Sequence, residues 1–366
     1  MRFAEYTDEW HKFVLSDFVT RITRRNKNNE SSLPLTISAQ YGLVDQITFF
    51  NKTIASVDLS GYYLLYNGDF AYNKSYSNDY AWGAVKRLDK YEKGCLSSLY
   101  FVFRPTDKVD SDYLTHYFET NKWHKGISDI AGEGARNHGL LNMSVDDYFA
   151  TKHYLPTFPE QRKIADFLNL IVKRIEIQNK IIEDLKVLKK ELCNALLSGI
   201  KKYKTLGELC TITTGKLDAN ANNPNGVYPF FTCGKETLLI DCYAFDGEAI
   251  VIAGNGDIGH TKYYNGKFNA YQRTYVLMDF SENAKFVKMG IDTYLPQKIA
   301  EEIQCGAMPY IKLSTLLSLK IPYVTFADQC NILNRYGSIA RKLENEICLL
   351  DLLHKQKAYF LNAMFI

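Results

Sequence analysis

LPTFPEQRKIADFLNLIVKRIEIQNKIIEDLKVLKKELCNALLS, residues 155–198, returns in altered form as IPYVTFADQCNILNRYGSIARKLENEICLLDLLHKQKAYFLNAMFI, residues 321–366. From Thr157 and Thr325 onward the two align without a gap at an offset of 168. Thr157/Thr325, Phe158/Phe326, Gln161/Gln329, Ile164/Ile332, Glu176/Glu344, Leu185/Leu353 and Lys189/Lys357 are identical pairs. Repetition on this scale marks a duplicated structural unit. Each copy opens like a capping box, Thr157-x-x-Glu160 and Thr325-x-x-Asp328, in which hydroxyl and carboxylate satisfy the first orphan amides of a helix. Pro159 suits a first helical turn, where no amide hydrogen is needed.

Residues in strict 4,3 spacing, mainly apolar, then run from Ile164 to Leu196 and from Ile332 to Met364. The spacing predicts two long helices paired as an intramolecular antiparallel coiled coil. Both seams turn polar at the same two places, Gln178 and Lys189 in the first, Glu346 and Lys357 in the second. Offset by one heptad from flush, the pairing sets Lys189 against Glu346 and Gln178 against Lys357. Such a layer fixes register at some cost in stability.

Ahead of each helix lies a longer, aromatic, strand-like region. The first holds PLTISAQYGLVDQITFF, GYYLLYNGDFAYNKS and LSSLYFVFRP; the second holds LGELCTITTGK, VYPFFTCGK, GEAIVIAGNGDIGHTKYY and AYQRTYVLMDF. Their openings echo, Leu15-Ser-Asp-Phe-Val-Thr20 against Leu206-Gly-Glu-Leu-Cys-Thr211. Alternating Tyr, Val, Ile and Phe broken by glycine turns read as strands. The expected class is α+β, two mixed α/β domains each followed by a long helix, with segments 1–154, 155–200, 201–320 and 321–366.

Composition agrees. At 366 residues, 46% hydrophobic and 23% charged, the chain can form two globular domains. A net charge of +3 permits nucleic-acid binding without demanding it. The eight cysteines include no C-x-x-C, and the seven histidines no H-E-x-x-H, so no metal centre is expected. With no signal peptide and no apolar run near eighteen residues, a reduced cytoplasmic protein without a membrane span is expected.

One stretch argues for an enzyme. In AGNGDIGHT, residues 253–261, Gly254, Gly256 and Gly259 fit G-x-G-x-x-G, and Asp279 lies twenty residues beyond Gly259. A dinucleotide fingerprint needs a helix opening at the third glycine. The chain instead continues HTKYYNGKFNAYQRTYVL, which reads as strand, Asn265-Gly266 hairpin turn and strand. The glycines are therefore expected in a turn between strands, and an oxidoreductase reading is set aside. No G-x-x-x-x-G-K-[ST], G-x-S-x-G or D/N-P-P-Y/F motif occurs, and no catalytic residue is nominated.

L-P-x-x-P-E-Q-R-K-I-A-x-x-L at Leu155 to Leu168, the ALLS that ends the same helix, TLGELCTITTGK at 205–216, SAQYGLV at 38–44 and the glycine-rich stretch of the second region resemble the specificity subunit of type I restriction-modification systems. The likeness extends over the whole order of globule, helix, globule, helix. The second helix departs from it, since Pro322-Tyr-Val-Thr-Phe-Ala-Asp-Gln329 has lost the second proline. The resemblance implies a chain without catalytic activity, whose two recognition domains each read half of a split, asymmetric DNA site. It implies that the paired helices act as a ruler and dock two methyltransferase subunits. Restriction subunits would join that core, and S-adenosylmethionine, ATP and Mg would belong to the partners. A coiled-coil scaffold with two ligand-binding globules is the competing reading.

DNA contact calls for cations at phosphates and for Arg, Asn, Gln or Lys at base edges. The first globule offers Arg24, Arg25 and Lys27 in RITRRNKNN, Gln40-Tyr41, and Arg136-Asn137 in GEGARNHG. The second offers Lys216, Asn255, His260, Lys262 and Gln272-Arg273. Arg162, Lys163, Lys173, Arg174, Lys186 and Lys190 lie off the seam and are expected on the outward helix faces. A helix of about 40 residues rises roughly 60 Å, enough for a ruler.

Overall fold

The computed structural model describes residues 1–52, 54–77, 80–131, 139–302 and 310–366. They divide into two compact units, Met1–Gln178 with Leu349–Ile366, and Asn179–Cys348. No helix among the described residues is long and apolar enough to cross a membrane.

The first unit begins by returning to its own end. Strand His11–Val14 pairs antiparallel with Lys152–Leu155, immediately before the long helix Phe158–Ser198. Leu15, fully buried, opens a single helical turn and donates its amide to the Thr151 carbonyl at 2.9 Å. A four-stranded antiparallel sheet comes next, in the order Val19–Arg21, Phe101–Pro105, Phe70–Asn73, Ala84–Arg87. The hairpins Leu35–Ser38/Gly42–Asp45 and Tyr63–Tyr66/Lys93–Leu96 form a second apolar cluster beside it. The tyrosine and phenylalanine content is explained here. Phe70 stacks on Phe103 at 5.6 Å and Tyr72 on Tyr148 at 4.6 Å, inside a core shared with Ile164, Leu168, Ile171 and Ile175 of the long helix.

The second unit repeats that frame. Tyr203–Thr205 pairs antiparallel with Lys320–Pro322, just before the helix Phe326–Met364. Leu206, fully buried, opens a short helix and donates to the Leu319 carbonyl at 2.8 Å. The echo between the two openings is structural. The Asp17 carboxylate accepts from the Val14 amide at 2.9 Å, as the Glu208 carboxylate accepts from Thr205 at 2.7 Å. The sheet then differs, with six strands in the order Thr211–Thr214, Thr274–Met278, Phe245–Ala253, Thr261–Ala270, Tyr228–Phe231, Thr237–Ile240. The Tyr228–Phe231 strand runs parallel to Thr261–Ala270, and the other pairs are antiparallel.

Each long helix meets the other's opposite end. In the first unit Phe167 and Phe360 meet edge-to-face at 4.9 Å and Leu353 joins the core. In the second, Cys193, Leu196 and Leu197 cluster with Ile332, Leu333 and Tyr336. The helices are therefore antiparallel, with the 4,3 seam facing inward.

Three local expectations are corrected. Lys189 and Lys357, expected opposite Glu346 and Gln178, have other partners among the described contacts. Lys189 Nζ lies over the Tyr336 ring at 5.3 Å, Lys357 pairs with Glu119 at 2.8 Å, and Glu346 pairs along its own helix with Lys342. Glu119 belongs to a globule, a class of partner that a helix-against-helix pattern does not contain. The first capping box is not formed among the described residues, where Arg2 takes both oxygens of the buried Glu160, at 2.6 and 2.7 Å. In the second, one half of the box forms: the Thr325 hydroxyl accepts from the Asp328 amide at 3.3 Å and donates to the Asp328 carboxylate at 2.6 Å. Finally, Asn265-Gly266 is no turn. It lies inside one ten-residue strand, where Gly266, at φ 140°, faces Gly247, at φ 127°. Two glycines opposite each other let the ribbon adopt a backbone closed to other residues.

Gln161 and Gln329, one more identity of the repeat, do one job twice. Gln161 Oε1 accepts from the Asp110 amide at 2.9 Å while its Nε2 donates to the Pro156 carbonyl at 3.0 Å. Gln329 Oε1 accepts from the Asn283 amide at 3.1 Å while its Nε2 donates to the Val324 carbonyl at 3.0 Å. Asp110 precedes the helix Ser111–Tyr117, and Asn283 precedes Ala284–Glu302. Each glutamine thus fixes the foot of a long helix to the start of a globule helix.

Candidate nucleic-acid interface

In the second globule three of the residues nominated from sequence, Asn255, Gln272 and Arg273, converge on one cleft, and backbone hydrogen bonds bring them together. The TTG turn is held by the Gly215 amide on the Thr274 carbonyl, 3.2 Å, and by the Gln272 amide on the Leu217 carbonyl, 2.8 Å. The glycine turn is held by the Gly254 amide on the Arg273 carbonyl, 3.0 Å, and by the Asp257 amide on the Cys233 carbonyl, 3.0 Å. A Cβ on Gly215 would stand 1.9 Å from the Ala270 carbonyl oxygen, and one on Gly254 would stand 2.4 Å from that of Arg273. Turns packed this tightly need glycine at both places. No helix opens at Gly259; the chain continues as the strand Thr261–Ala270, which removes the geometry a dinucleotide would need.

Between these turns lies a cleft of about 400 Å³ lined by Thr214, Asn255, Gln272, Arg273, Tyr275 and Tyr310. Gln272, Arg273 and the neighbouring Lys216 are exposed. Arg273 and Lys216 form no ion pair among the described residues. Two carboxamides, a guanidinium and two aromatic faces around one opening can hydrogen-bond base edges and stack on flat rings. Lys262 is placed otherwise. Its ammonium donates to the Lys235 carbonyl and to Thr237 Oγ1, 3.0 Å, and lies over the Phe231 ring at 5.7 Å. It holds a hairpin. His260 lies in the glycine turn, and burial together with Lys262 lowers its pKa, which favours the neutral imidazole at pH 7.

The first globule uses its nominated arginines internally. Arg24 pairs with the fully buried Asp69 at 2.6 Å, donates to the Leu64 carbonyl at 3.0 Å and covers the Tyr66 ring at 4.2 Å. Arg104 takes the other Asp69 oxygen at 2.6 Å. Arg25 donates to the Gly61 carbonyl at 2.8 Å and covers the Tyr63 ring at 4.2 Å. The basic stretch is thus a folded turn, pinned by the buried Asn26 amide on the Ser31 carbonyl at 2.9 Å. Lys27 stays exposed beside it. Gln40 and Tyr41 form an exposed hairpin tip, with Tyr41 edge-on to Phe49 at 6.3 Å. Arg136 and Asn137 lie outside the described residues. The outward helix cations Arg162, Lys163, Lys173, Arg174, Lys186 and Lys190 are all exposed.

Comparison with known proteins meets this geometry in the same region. Residues 200–348, which hold the cleft, match the family described as the type I restriction modification DNA specificity domain. The type I restriction enzyme EcoDI specificity subunit of Escherichia coli is 36% identical over 144 residues, covering 39% of this chain and 32% of that protein. The chain spans less than half the length of the curated relatives it matches. Among solved structures, the S subunit of a type I restriction-modification system from M. genitalium shares the fold with a TM-score of 0.58 at 18% identity, over 100% of this chain and 99% of that one. A chain from a structural study of complex assembly and conformational transition in the type I system gives a TM-score of 0.57 at 16% identity, over 98% of each. Residues 200–348 are thus similar to the type I restriction modification DNA specificity domain, and the chain as a whole shares its fold with solved type I S subunits.

Proposed function

We propose that the chain is the non-catalytic DNA-specificity subunit of a type I restriction-modification complex. One observation carries the reading: a single frame occurs twice around two dissimilar inserts, residues 22–100 and 215–273. A duplicated frame presents two reading heads, and unlike inserts let each read its own sequence. That arrangement suits the bipartite, asymmetric site expected of the family. In the second head Asn255, Gln272 and Arg273 face bases while Lys216 meets phosphate. In the first, the tip Gln40–Tyr41 and Lys27 take the corresponding tasks. The paired helices set the distance between half-sites and dock two methyltransferase subunits, and restriction subunits complete the assembly in the cytoplasm. S-adenosylmethionine, ATP and Mg act on those partners.

Long-read methylation mapping tests this in cells making the chain with its methyltransferase, against cells lacking the chain. The expected result is a split motif, methylated in both halves, only where the chain is present. Unchanged methylation in an otherwise active system would defeat the reading. Removing one matched heptad from both helices is expected to change the gap and leave both half-sites as they were.

A further inference from the structure

A cavity of about 590 Å³ opens in the first unit beside the edge strand Ala84–Arg87, and the last turns of the second long helix form part of its wall. Its lining includes Lys86, Lys357, Glu119, His124, His354 and Gln40. Lys357 is satisfied by Glu119 at 2.8 Å. Burial works to raise the Glu119 pKa, but Lys357 and Lys86 outweigh it and hold the carboxyl ionised. Lys86, half-buried, has no hydrogen bond or ion pair among the described residues, so one positive charge is left over. Burial lowers the pKa of that ammonium, with Lys357 acting in the same direction and Glu119 against it.

We propose that this cavity binds a phosphate group, with Lys86 as its principal cation. A carboxylate uses donors along one edge, whereas phosphate accepts from several directions at once. Here Lys86 comes from a strand, His124 from a globule helix, His354 and Lys357 from the long helix, and Gln40 from the hairpin tip. The phosphate is either free or part of a nucleic-acid backbone. Only the second source rests on the DNA-reading role, and Gln40 favours it, because it belongs both to the cavity and to that tip.

The test is thermal unfolding of the full chain in inorganic phosphate against chloride of equal ionic strength. At tenfold over half-saturation Tm is expected to rise by about 2 °C. Lys86→Met abolishes the rise. Glu119→Gln, which frees Lys357, moves half-saturation to about tenfold lower phosphate. No rise, a rise that survives Lys86→Met, or an unmoved half-saturation in Glu119→Gln would each overturn the site. If phosphate displaces duplex DNA more than matched chloride does in wild type, and not in Lys86→Met, the site holds the backbone. Phosphate binding without that displacement assigns it to free phosphate. A chain that binds phosphate but no DNA would overturn the specificity role and leave this site standing.

Discussion

Gln161 and Gln329 stand at the same place in two copies of one frame and make the same bonds, whereas the arginines nearest the two inserts have opposite fates. Arg24 is consumed by Asp69; Arg273 lines a cleft with no ion pair among the described residues. The frame accommodates two different inserts because it asks nothing of them beyond closing the sheet. The copies also differ inside the frame. His153, buried, shares hydrogen bonds of 2.8 Å with Tyr117 and Thr151, while the matching residue of the second copy is the fully buried Ile321. His116, which reaches Asn169 at 2.8 Å, is matched by Met289. The first copy is tied with polar bonds where the second is packed with apolar side chains.

The largest expected effect falls on the second insert alone. Gly254→Val drives a side chain into the Arg273 carbonyl and should cost about 3 kcal/mol. Urea unfolding combined with hydrogen exchange should localise the loss to the second unit; a loss shared equally by the first would break the separation of the copies. Acid should do the reverse. Burial lowers the His153 pKa from 6.5 to about 4. Its folded pKa lies below the unfolded one, so its contribution is complete above pH 6.5 and is lost as pH falls toward 4. The slope is about 1.4 kcal/mol per pH unit. Urea midpoints measured from pH 7 to 4 should show this slope, and His153→Leu should flatten it. Exchange protection in the second unit, with Ile321 in that place, should not track it.

Smaller effects bear on the likeness between the copies. Gln161→Ala and Gln329→Ala should each cost about 2 kcal/mol, since each orphans a helix-start amide. Costs differing severalfold would mean that the frame is not mechanically duplicated. Arg273→Ala should weaken duplex binding about tenfold or more with an unchanged unfolding midpoint. Arg24→Ala should lower the midpoint first, because it strips a partner from the buried Asp69.

The frame was legible because it is written twice: an offset of 168, the 4,3 seam and the Leu15/Leu206 echo all survive as structure. The features that could not be read depend on partners distant in sequence. Nothing near Glu160 announces Arg2, and nothing near Arg24 announces Asp69. Lys189 and Lys357 looked like a helix–helix layer because the heptad pattern carries no information about Glu119 and does not by itself fix the register that sets Lys189 over Tyr336. Asn265-Gly266 has the local chemistry of a hairpin turn, but Gly247 opposite it lets the strand run straight through. In the second globule the grouping of Asn255, Gln272 and Arg273 around one cleft was legible because glycine turns are local signals. In the first, the pattern located cations without saying which were already spent.

Whether one frame carries two independent reading heads is decided by a methylation map of cells whose chain carries Asn255→Ala, Gln272→Ala and Arg273→Ala together. Independent heads should give a motif relaxed in one half only, with the other half and the gap unchanged. An unaltered motif, or two halves degraded together in a chain that still folds, would contradict them.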